Sequence, residues 1–123
     1  MRAFSALVER LHYARKGIDV SRYRITVLKR HAFEDLMDEF VPNHLRAKWG
    51  PCPQLHDGQV FDFEGSPPEG FCSRAFASIW GDLTAIMCDG NAAWINRPGT
   101  MITCCNDGLT PVVFKLERLE DDE

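Results

Sequence analysis

Cysteines are the residues of this chain whose type and placement best suit chemistry, and there are five of them. Cys52 is pinned between Pro51 and Pro53 in a Trp-Gly-Pro-Cys-Pro run that can be neither helix interior nor central strand. Cys72 closes Pro68-Glu-Gly-Phe-Cys72, at or near the start of a long helical pattern. Helix starts carry unpaired N–H groups and the positive end of the macrodipole, which favour a thiolate over a thiol. Cys72 is therefore the first candidate nucleophile and Cys52 the second. The competing reading is packing: Cys72 also opens an apolar stripe, and free cysteine is among the most buried residue types. Cys104 and Cys105 are adjacent, at a strand end before Asn106-Asp107-Gly108. Successive side chains in a strand point to opposite faces, so one of this pair should face a site while the other packs. Cys88, at the far end of the helix, has no such setting and reads as a packed residue.

Two chemistries follow. If Cys52, Cys72 and Cys104 or Cys105 converge, their thiolates could hold zinc or iron, with the other cysteine, a water or His56 as fourth ligand. No C-x-x-C knuckle supports this, and His56 reads more simply as a turn residue. Without a metal, Cys72 and a second cysteine would form a nucleophile and resolving pair for redox work. Asp89 or Asp107 could give acid–base help, although an Asp in a turn usually serves the turn itself. Trp49, beside the Cys52 loop, suits the wall of a small-ligand pocket, and Asp107 joins it as a candidate contact to a ligand or cofactor. Serine hydrolysis and phosphate cradling are unsupported, since neither G-x-S-x-G nor a phosphate-binding glycine loop occurs.

The elements that must position these cysteines can be read from periodicity. Phe4, Leu7, Val8 and Leu11 predict a short amphipathic helix ending near Gly17, which could pack on the domain or on a second copy to make a homo-oligomer. Tyr23, Ile25 and Val27 alternate with polar residues, the pattern of a half-buried strand. Phe33, Leu36, Met37 and Phe40 form a helical stripe that Pro42 should end. A strand is expected over residues 59–63, after the Asp57-Gly58 turn. The longest helix is predicted over residues 72–87, starting either at a Ser66/Glu69 capping box or later, near Phe71; Gly70 favours the later start. Residues 101–105 and 111–119 flank a turn and read as a β-hairpin.

The resulting β-α-β-α-β-β order predicts an α+β fold. It consists of a small antiparallel or mixed sheet covered by two helices, with residues 1–20 as a helical extension and 21–123 as one domain. The strand over residues 23–29 is expected beside the one over residues 112–117. Composition agrees with this: 123 residues, 45% hydrophobic and 26% charged, are those of one packed domain. The net charge of −4 argues against nucleic acid as a partner. No stretch approaches the ~20 apolar residues of a membrane span. Glu9 and Arg10 interrupt the apolar start, so a cytoplasmic protein with reduced thiols is expected. The acidic Asp121-Asp122-Glu123 end reads as a solvated tail.

Several segments together resemble a family of small prokaryotic proteins of uncharacterised activity that carries a placeholder name. They are Tyr23-Arg-Ile-Thr-Val-Leu-Lys-Arg30, Gly50-Pro-Cys-Pro53 with Gly58-Gln-Val-Phe61, Pro68-Glu-Gly-Phe-Cys72, and the run from Cys104 through Asp107-Gly-Leu-Thr-Pro-Val-Val-Phe to Lys115. These cover most of residues 22–118 in order, and Met1 to Ser21 lies outside the pattern. The resemblance implies that Cys52, Cys72, Cys104 and Cys105 belong to the family's motif, whereas Cys88 and His56 do not. It implies no activity.

Overall fold

A computed structural model describes residues 22–119. The expected N-terminal helix and the acidic tail lie outside the described residues. The elements are strand β1 (Arg22–Arg30), helix α1 (Glu34–Phe40), the short helix α2 (Asn43–Arg46), strand β2 (Val60–Phe63), helix α3 (Ser73–Met87), and strands β3 (Thr100–Cys104) and β4 (Val112–Leu119). The strands form one sheet in the order β2-β1-β4-β3, with every neighbouring pair antiparallel. The expected pairing of the first and last long strands is present, with Ile25 opposite Leu116 and Val27 opposite Phe114. An extra residue, Leu28, interrupts that ladder between Val27 and Lys29.

Alternation sets the two faces of the sheet. Ile25, Val27, Phe63, Met101, Val112, Phe114 and Leu116 are buried on one face. Against them lie Ala75, Ile79, Leu83 and Ile86 of α3, spaced to fall on one helical stripe and likewise buried. Phe71 and Phe76 fill the gap between helix and sheet, with ring centroids 5.5 Å from Phe114 and 5.8 Å from Phe63 respectively. Coverage by helices is unequal, because α1 adds only Met37, which with Val41 is buried apart from this core. The later start of α3 is the one adopted: Gly70 takes a positive φ of 83°, and Cys72 is the N-cap residue. Among the described residues no helix is long and apolar enough to cross a membrane.

Candidate functional site

Cys72 and Cys105 stand where α3 begins and the β3–β4 turn closes, two segments that hydrogen bonds tie together. Cys72 is the N-cap of α3 with extended backbone (φ −67°, ψ 123°), and no side chain caps the helix there. Its carbonyl accepts the first helical bond, from the Phe76 N–H. The β3–β4 turn is tied to the same helical turns. Arg74 donates to Asn106 Oδ1 at 2.9 Å, and the Asn106 N–H reaches Ser78 Oγ at 3.2 Å. Cys105 directly precedes that anchored asparagine. Its N–H donates to the Val112 carbonyl, and its sulfur accepts the Val112 N–H at 3.3 Å.

The loop that carries Cys52 is tied to the sheet through β1. Val112, the partner of Cys105, lies opposite Arg30 in the sheet. The Arg30 guanidinium donates to the Cys52 carbonyl at 2.9 Å and to Asp57 Oδ1 at 3.0 Å. Exchange of backbone bonds between Val27 and the Gly58–Gln59 turn, at 2.7 and 2.8 Å, fixes the loop against β1. Leu55 drives the loop into the core, being 1% exposed. Cys52, Cys72 and Cys105 are all partly buried against the same hydrophobic cluster.

Cys104 goes elsewhere. It stands opposite Val113 on the face of the sheet turned away from α3, and is exposed. The alternation expected for the adjacent pair thus makes Cys105 the inward member. Cys88 is exposed at the C-terminal end of α3, so it is not packed as expected. Among the described residues, no group of three or more His, Cys, Asp or Glu side chains could hold a metal ion. His56 is exposed in its turn.

Asp107 sits at the same end but serves the turn, its Oδ1 accepting the N–H groups of Leu109 at 2.9 Å and Thr110 at 3.0 Å. Partial burial works to raise the pKa of this carboxyl. The hydrogen bonds from Thr110 and Leu109, helped by the Arg74 charge, outweigh that and hold it below the usual carboxylate value. Trp49 follows α2, half-exposed, its backbone bonded to Arg46. The contacts made by Arg30, Arg74 and the Asn106 side chain have no counterpart in the sequence reading. Their roles depend on strand register and on the turn meeting the helix, neither of which has a local signal.

Compared with family models, curated proteins and solved structures, the chain matches none.

Proposed function

We propose that the protein works through thiol chemistry at the start of α3, with Cys72 as nucleophile and Cys105 as the second thiol. The observation that carries this reading is that Cys72, Cys105 and Cys52 are each partly buried against one hydrophobic core, with Cys72 and Cys105 on segments that Arg74, Asn106 and Ser78 tie together, while Cys104 and Cys88 are exposed. The reaction class it fits is thiol–disulfide exchange. The Cys72 thiolate attacks one sulfur of a small disulfide, the S–S bond breaks, and one half departs as a thiolate. The Cys105 thiolate then attacks the Cys72 sulfur of the mixed disulfide, expelling the second half. Two protein thiols are oxidised to a disulfide and the small disulfide is reduced to two thiols. Cys52, held by Arg30, is the alternative resolving group.

Treatment with glutathione disulfide followed by peptide mapping tests this directly. A Cys72–Cys105 or Cys72–Cys52 disulfide, preceded by glutathione on Cys72, is expected. Glutathione on Cys88 and Cys104 alone would overturn the reading. A metal at these thiols would instead give stoichiometric zinc or iron in protein purified anaerobically without chelator, lost on Cys72→Ser or Cys52→Ser.

A second reading has its own support in the burial of the same three sulfurs: they pack, and the protein is a non-catalytic binding or accessory protein. Stability of the Cys72→Ser variant separates the two, as argued below.

A further inference from the structure

The face of the sheet turned away from α3 carries an open groove of about 490 Å³, within the range of small-ligand sites. Leu28, Ile102 and Lys115 line it from three strands, and Trp94 and Arg97 from the loop that follows α3. Leu28 belongs to the bulge in β1, which leaves it without a partner on β4, and a bulge re-aims a side chain in this way. Leu28 and Ile102 each remain 40% exposed, and Trp94 is 77% exposed. Trp94 has no ring contact among the described residues.

Two polar features give the groove a chemical preference. Thr100 lines it, is only 7% exposed, and has no side-chain hydrogen bond among the described residues. A buried hydroxyl in that state costs free energy until a polar atom meets it. The charges are also uneven. Lys115 is matched by Glu117, with Nζ 3.4 Å from Oε1, whereas Arg97 has no ion pair among the described residues. One positive charge is left over.

From these features we infer that the groove binds a small monoanion with a flat apolar body, the class of aromatic carboxylates. Trp94 stacks on the ring, Leu28 and Ile102 lie beneath it, Arg97 takes the carboxylate, and the Thr100 hydroxyl meets one of its oxygens. This site lies on the opposite face of the sheet from Cys72 and Cys105 and does not depend on their chemistry.

The probe is 2-naphthoate, titrated into isotopically labelled full-length protein, with the uncharged 2-naphthamide titrated in parallel. Saturable shifts of the Trp94 indole and Thr100 amide resonances are expected with naphthoate. Affinity should fall about fivefold or more for the amide and for Arg97→Gln, and Trp94→Ala should abolish the shifts. Because Arg97 and Trp94 are exposed, both variants should fold, which their amide spectra check. The proposal is overturned by equal affinity for the two probes, by Arg97→Gln binding as the parent does, or by no saturable shift at millimolar naphthoate. Shifts that follow protein concentration alone would give the groove to a second copy and overturn it equally.

Discussion

The two ends of α3 are built on opposite plans. At its C-terminus, Gly90 donates to the Ala85 carbonyl and Asp89 to that of Ile86, the bond pair of a Schellman motif. Asp89 takes the left-handed conformation this requires, at φ 62°. Gly90 is needed there because a Cβ would stand 2.7 Å from the Ala85 oxygen. Arg118 then reaches in from β4, donating to the Ile86 carbonyl at 2.7 Å and to Asn91 Oδ1 at 3.3 Å. A cation on the last carbonyls also complements the negative end of the helix dipole. At the N-terminus no side chain caps the helix, and the capping position is held by a cysteine. Serine, threonine or aspartate would stabilise that position. One end is closed for stability; at the other the capping position goes to a cysteine that makes no side-chain bond to the helix.

Breaking the closed end should have the largest effect. Arg118→Met keeps most of the side chain's length and apolar stem but removes its donors, leaving the Ile86 carbonyl with the longer Asp89 N–H bond. Because the Arg118 side chain is only 18% exposed, water replaces those bonds poorly. A loss of about 2 kcal/mol is expected from charge-assisted bonds of this kind, measured by urea unfolding. A loss below a quarter of that would mean that the Schellman bonds alone close the helix.

At the open end the contrast can be read within one molecule. Cys72 and Cys88 bracket the same helix, and Cys88 is the more exposed. Access alone would therefore make Cys88 the faster to alkylate. If the helix start activates Cys72, iodoacetamide at neutral pH should modify it roughly tenfold faster than Cys88, read by peptide mass spectrometry at short times. Equal rates, or the reverse order, would remove the nucleophile from the proposal.

A smaller effect sharpens the same point. Cys72→Ser loses the packing of a partly buried sulfur and supplies an oxygen suited to cap the first turn. These changes oppose each other, so net stability should move by less than about 1 kcal/mol while reactivity disappears. A destabilisation of twice that size would assign Cys72 to packing and favour the non-catalytic reading.

The contrast between the ends also explains how much the sequence could disclose. Local signals sufficed for α3, whose stripe of Ala75, Ile79, Leu83 and Ile86 and whose stop at Asp89-Gly90 are written in consecutive residues. The same holds for the β3–β4 hairpin, and the pairing of β1 with β4 followed from their length and β-rich composition. Three features were not legible. Helix α2 is a single short turn after Pro42, with no periodicity to announce it. Arg118 and Arg30 lie in strands, where nothing local indicates that one will reach a helix end and the other a distant loop. Trp49 drew attention because it neighbours Cys52, yet the tryptophan lining the groove is Trp94, brought there by the path of the loop after α3. Among the cysteines, strand alternation correctly required Cys104 and Cys105 to part, but only register could say which turned inward.

Asp107 gives the smallest and most specific effect, one that distinguishes turn chemistry from acid–base chemistry at the open end. Its carboxyl is held below the ordinary value of 3.8 by the bonds it accepts from Thr110 and Leu109 and by the Arg74 charge, which together outweigh partial burial. A folded-state value below the unfolded one means that the native state binds the proton less readily. The stabilisation is therefore fully present above the unfolded value and is lost as pH falls through the folded one. Asp107→Asn keeps an oxygen for the two N–H groups but removes the charge. The variant should be slightly less stable at neutral pH, by under about 1 kcal/mol, and the deficit should vanish in acid. Urea unfolding of both proteins between neutral pH and pH 2 measures this. Curves that stay parallel into acid would show that the charge adds nothing to the turn. If the variant also left glutathione exchange at Cys72 unchanged, Asp107 would be a turn residue alone, and the open end would work with its thiols and the helix donors only.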